Sequence, residues 1–140
     1  MAPAPKYSHQ KQLEMILEAA TECIQASSVM DFTMAKVART AGLSMGSVYK
    51  HVQSKEDIIL ALAHRTFVHI CNTFNQVLAL PITTPEKILA IALISPKKLQ
   101  FFEFDNDLLS YATNEAVISR ASSIWTEKMI IANNACEQSF

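Results

Sequence analysis

Residues 42–59 read GLSMGSVYKHVQSKEDII, and they hold both glycines of the 140-residue chain, Gly42 and Gly46. Met45, Ser47, Tyr49, Lys50 and His51 lie among them and make no core run. Just upstream, Thr33 predicts an N-cap, and MAKVARTA then reads as a short helix with Val37, Ala38 and Ala41 turned inward. Gly42 ends that helix, because the residue past a C-terminus favours the left-handed conformation, which glycine adopts without a steric penalty. Ser44 predicts the cap of a second short helix reaching about His51. Ser54 caps a third, with Asp57 three residues later as in a capping box. Two short helices joined by a glycine turn, with a helix before and a long helix after, match a helix-turn-helix.

That motif gives the odd residues work. The second short helix enters a major groove with its N-terminal residues toward base edges. Glycine at position 46 lowers helix stability by about 1 kcal/mol, and close approach of backbone to a ligand is one use that offsets this. Tyr49 can reach a phosphate with its hydroxyl. Lys50 can meet guanine or a phosphate, and His51 can donate to a phosphate. Lys55 falls in the first turn of a helix, where the macrodipole disfavours a cation, and a docked phosphate would reverse that. A plainer reading makes Tyr49 and His51 half-buried packing residues and both lysines solvated.

The rest of the chain reads as helix. Residues 1–8 form a loose arm with Pro3 and Pro5. Leu13, Ile16, Leu17, Ala20 and Ile24 recur at helical spacing from about His9. Ile58, Ile59, Leu62, Phe67, Ile70, Phe74 and Val77 predict a helix from about Ser54 to Leu78, roughly 35 Å long, stopped by Pro81. Thr84 with Pro85, and Ser95 with Pro96, predict fresh starts. FEFDND at 102–107 is a break or a tight turn. Thr113 then predicts the cap of a last helix carrying Val117, Ala121, Ile124, Trp125, Met129 and Ala132 on one side. Half the residues are hydrophobic and formal net charge is −1, so any nucleic-acid binding rests on local positive charge. The fold class is all-α.

FTMAKVARTAGLSMGSVYKHVQSKEDII, residues 32–59, resembles the N-terminal DNA-binding domain of TetR-type transcriptional regulators. The likeness is carried by Thr33, Val37-Ala38, Ala41-Gly42-Leu43-Ser44, Gly46, Tyr49, His51 and Ser54-Lys55-Glu56, and covers roughly 9–70. Val52 stands where most relatives have Phe. The resemblance implies a helix-turn-helix domain over 9–70, with the motif about 33–52. Over 71–140 it implies a helical effector-binding and dimerisation domain, incomplete for the family. It implies phosphate contacts from Thr33, Tyr49, His51 and Lys55. It sets Ser44, Met45, Gly46, Ser47 and Lys50 at the reading end, with Ala35 near the groove. Phe67, Phe74, Phe101, Phe102, Phe104, Tyr111 and Trp125 are the expected wall of a pocket for a small hydrophobic effector, unless they are ordinary core. The implied function is a homodimeric repressor on a near-palindromic operator in double-stranded DNA, released by that effector.

The chain stops before the two helices that complete the dimer interface in relatives, as a fragment, a proteolysed product or a natural truncation would. The alternative is therefore a helical ligand-binding or adaptor protein of this fold that has lost productive DNA binding. Cys23, Cys71 and Cys136 are odd in number and far apart, and read as small buried hydrophobes in a reduced cytosol, without a disulfide. The N-terminus lacks an apolar signal core, and the run ILAIALI is too short to span a bilayer, so a cytoplasmic protein with no membrane partner is expected. Glu103, Asp105 and Asp107 read as loop and cap carboxylates. His64 and His69 do not share a helix face, so no metal or other cofactor is expected. No catalytic pattern marks an enzyme.

Overall fold

A computed structural model of the protein describes residues 6–138. The helices in chain order are α1 (His9–Ala26), α2 (Met34–Ala41), α3 (Met45–Tyr49) and α4 (Lys55–Leu78), followed by α5 (Thr84–Ala92) and α6 (Pro96–Leu99). Then come α7 (Asp105–Ala112), α8 (Glu115–Arg120) and α9 (Ser123–Glu137), and no strand occurs among the described residues. The fold is all-α.

Local chemistry sets most boundaries. Ser8, Thr33, Ser44 and Ser54 each cap a helix by accepting from the backbone N–H three residues on, which satisfies one of the orphan donors at a helix start. Ser8 is thus part of α1; residues 1–5 of the expected arm lie outside the described residues. α3 ends at Tyr49, short of the expected His51. The cap of α5 is Thr83 rather than Thr84: Thr83 and Glu86 make a reciprocal capping box, which leaves Thr84 and Pro85 in the first turn.

The predicted last helix is two. Asn114 caps α8, the chain extends at Ala121 and Ser122, and Ser122 opens α9. The cause is distant in sequence. The Ser122 N–H donates to Asp57 Oδ1 at 2.6 Å, and the Ser122 hydroxyl donates to Asp57 Oδ2 at 2.9 Å. The Gln53 N–H also donates to Oδ2, at 2.9 Å. Asp57 is fully buried, and these three donors offset the removal of its charge from water.

α1, α2 and α3 bury Ile16, Leu17, Ala20, Ile24, Val37, Ala38 and Val48 against Ile58, Ile59 and Leu62 of α4. Val52 completes this core and is fully buried. The same core continues into Leu108 and Ala112 of α7 and Trp125 of α9. Ile124, expected on the inner side of the last helix, is 60% exposed. Trp125, expected on the same side, does face the core, and Ile124, about 100° away around the helix, falls outside it.

The cysteines depart from expectation. Cys71 on α4 and Cys136 on α9 are joined by a disulfide, with Cα atoms 5.8 Å apart. Spacing along the chain hides this, because only the packing of α9 beside α4 brings residues 65 apart into range. Cys23 is free and buried, as expected.

Candidate nucleic-acid interface

Gly42 has φ 70° and ψ 28°, the left-handed conformation that lets the chain reverse between α2 and α3. Its N–H donates to the Arg39 carbonyl at 3.2 Å, and the Leu43 N–H donates to the Ala38 carbonyl at 3.0 Å. Two of the last four carbonyls of α2 are thereby paired, and Leu43 tucks against the core. Val48, fully buried, is the anchor that holds α3 to that core.

The opposite side of α3 is open. Ser44 accepts from the Ser47 N–H at 3.1 Å, and its hydroxyl donates to Ser47 Oγ at 3.0 Å. A Cβ added at Gly46 would meet only Ser44 Oγ, at an ordinary 3.9 Å. Nothing in the chain itself therefore demands glycine there. Thr33, Ala35, Ser44, Gly46, Tyr49 and Lys50 are exposed, and Met45 and Ser47 are half-buried. Tyr49 is 48% exposed, well outside the core.

Two expected phosphate ligands have partners within the chain. The Lys55 ammonium donates to the Met30 carbonyl and lies 4.6 Å from the centroid of the Phe32 ring. A cation at the start of α4 is thus accommodated by the α1–α2 loop, and by Glu56 and Asp57 in the same turn. His51 Nε2 pairs with Gln12 Oε1 at 2.9 Å, and its ring lies 4.2 Å from that of His9. Its Nδ1 is buried without a partner among the described residues. Burial first, then the nearby His9 and Lys50 charges, holds the His51 pKa below its ordinary value. His51 thus joins the turn after α3 to α1, in surroundings that favour the neutral ring.

Sequence reasoning misses Gln12 and His9, because α1 and the end of α3 meet only in the fold. It also reads Asp57 as a capping-box acid alone, whereas its carboxylate ties the turn after α3 to the start of α9. A second tie lies beside it, where the Trp125 indole N–H donates to the His51 carbonyl at 3.3 Å.

The expected pocket aromatics do not share one cavity. Trp125 is buried beneath the helix-turn-helix. Phe102 and Phe104 stack with ring centroids 5.0 Å apart, and with Tyr111 they pack on the core edge. Phe101 borders a recess with His64 and His69, while Phe67 borders another beside the disulfide. A cleft of about 440 Å³ lies elsewhere, between α4, α6 and α7, and is lined by Thr66, Ile70, Lys97, Leu99, Gln100 and Leu109 among others. Asp105 at its edge accepts from the Thr66 hydroxyl and the Phe101 and Phe102 N–H groups, so that carboxylate is structural. No helix among the described residues is long and apolar enough to cross a membrane.

Residues 16–62 match the family model of bacterial regulatory proteins of the tetR family. That span runs from α1 through the first turns of α4 and contains the whole glycine turn and α3. No curated protein matches the chain.

Proposed function

We propose that this chain, whose residues 16–62 make it a DNA-binding transcriptional regulator of the TetR type, is a repressor released from its operator by a small effector. The observation that carries this is the bare first turn of α3. Gly46 is exposed, with only Ser44 Oγ near the place of a side chain, and Tyr49 and Lys50 stand exposed at the end of the same short helix. A helix end with glycine in its first turn suits close approach of backbone to base edges. Ser44 and Ser47 offer hydroxyls, and Met45 an apolar contact, so DNA shape shares the readout with Lys50.

A homodimer sets two such helices in successive major grooves, about 34–36 Å apart, on a near-palindromic site. The cleft between α4, α6 and α7 is the effector site this reading favours. Its α4 wall, Thr66 and Ile70, belongs to the helix that begins at the helix-turn-helix. Ligand that binds better to one position of α4 shifts the population away from the DNA-bound spacing.

The test selects bound duplexes from a random pool and measures affinity against salt, with sedimentation to count subunits. A near-palindromic consensus bound by two chains is expected, with affinity falling steeply as salt rises. Binding that stays at the non-specific level for every duplex at low salt sinks the repressor reading. It would favour a helical ligand-binding or adaptor protein of the same fold.

A further inference from the structure

We infer that Cys71 and Cys136 form a thiol–disulfide exchange site for small thiols and disulfides of the glutathione class, and that its state sets DNA affinity through α9. The output rests on the DNA-binding reading above; the exchange chemistry does not.

The site has three physical features. The two cysteines sit on different helices with Cα atoms 5.8 Å apart, inside the range a disulfide spans without backbone movement. A recess of about 150 Å³ is bordered by both cysteines, with Phe67 and Ala132 as apolar wall and the exposed Asn72 and Asn75 as polar rim. The thiol end of such a molecule can reach the sulfurs there, and the two exposed amides offer donors and acceptors for the peptide-like groups that stay outside. Cys136 is the more exposed residue of the two, half-buried where Cys71 is only 8% exposed. Cys23, by contrast, is buried at 3% exposure in the main core, with its sulfur beside the Thr40 hydroxyl. Exchange is thus selective for the pair.

The chemistry balances without another co-reactant. The Cys136 thiolate attacks one sulfur of an oxidised glutathione-type disulfide, and one glutathione thiolate leaves. The Cys71 thiolate then attacks the Cys136 sulfur of the mixed disulfide, forming the Cys71–Cys136 bond and expelling the second glutathione thiolate. The two cysteine protons pass to the two leaving thiolates, and two electrons move from the protein to the oxidant. A regulator works where its DNA is, and disulfides in reducing compartments are chiefly transient or sensing ones.

The link to DNA is α9 itself. Its 15 residues span about 22 Å. At one end Ser122 donates twice to Asp57, and Trp125 donates to the His51 carbonyl just behind α3. At the other end Cys136 is bonded to the middle of α4. The closed bond fixes α9 as a strut between α4 and the back of the reading helix. Reduction frees its far end, so α4 and the helix-turn-helix lose a shared constraint. The oxidised form is preorganised and binds DNA more tightly.

The test equilibrates the full chain in glutathione buffers from fully reduced to fully oxidised. Alkylation with mass spectrometry scores the bond, and binding is measured to duplexes selected from a random pool by each form separately. The expected result is a reversible Cys71–Cys136 bond, with affinity about fivefold or more higher in the oxidised form. In Cys136→Ser, and independently in Cys71→Ser, affinity should match the reduced wild type in every buffer. Failure of the bond to form in oxidising buffer overturns the site. A bond that forms while both states bind the same duplex equally overturns the coupling. Binding of no duplex by either form overturns the DNA reading and the switch's output together.

Discussion

Gly46 occupies a position where alanine would fit the chain itself, which makes it a clean probe of what lies outside. Gly46→Ala adds a methyl group that meets only Ser44 Oγ, at an ordinary 3.9 Å, and removes a helix penalty of about 1 kcal/mol, so the melting temperature should rise. The same methyl stands where a base edge would approach, and affinity for a selected duplex should fall about tenfold. Unchanged affinity would show that DNA does not come close there. His51 yields a pH test with a definite sign. Its folded pKa lies below the ordinary 6.5. In the window between the two values the unfolded chain holds more protons, so stability rises with pH. The contribution is complete above about 6.5 and is lost as pH falls through that window. Between about pH 7.5 and 5.5 the wild-type melting temperature should fall more steeply than that of His51→Gln. His64, whose pKa is also lowered, is present in both proteins and cancels in the comparison. Equal slopes would remove His51 as the cause. The sequence identifies Gly46 correctly as a residue without a local structural need. It cannot place His51, whose partners Gln12 and His9 stand about 40 residues upstream.

Helix starts were legible because a cap is a local device: Thr33, Ser44 and Ser54 each satisfy a donor three residues away. The break between α8 and α9 was not, because the group that holds Ser122 out of a helix is Asp57, 65 residues earlier. That carboxylate also unites the elements. It lies in the first turn of α4, closes the turn after α3 through the Gln53 N–H, and receives both donors of Ser122. Asp57→Asn keeps the shape and most of the volume. An amide nitrogen must then face a backbone N–H, either that of Gln53 or that of Ser122, and neither can turn away. The loss should be about 3 kcal/mol of stability, as for a buried charge-assisted pair deprived of its acceptor. Because α9 also loses its seat, Trp125 should report it: indole fluorescence in Asp57→Asn should shift toward the solvated value below the melting transition. A variant as stable as wild type, with unchanged Trp125 emission, would show that the Asp57 contacts contribute nothing to docking α9. The Arg120–Glu56 pair nearby, at 3.9 Å with the arginine side chain mostly exposed, cannot substitute, since such surface pairs contribute little.

On the scale of the molecule, one core runs from α1 through α4 to α7 and α9, so the reading head and the helices behind it are not separately packed bodies. Periodicity foretold the helices that build this core, but not which of them would meet, and the disulfide follows from the meeting. The bond joins residues 65 apart, and closing a loop of that length removes unfolded-chain entropy equivalent to about 4 kcal/mol at 25 °C. For a chain of this size that corresponds to a melting temperature about 10 °C higher in the oxidised protein than in the reduced one. The comparison needs no substitution and no DNA, only calorimetry of the same chain with and without reductant. Cys136→Ser supplies the control: lying half-buried near the end of α9, it should melt like the reduced wild type whether reductant is present or not. If wild type melts within about 2 °C in both states, against the roughly 10 °C that loop closure implies, then α4 and α9 are already held together without the bond. In that case the recess beside Cys71 would be a seam of ordinary packing, and the strut between α4 and the back of α3 would owe its stiffness to that packing together with Trp125 and Asp57.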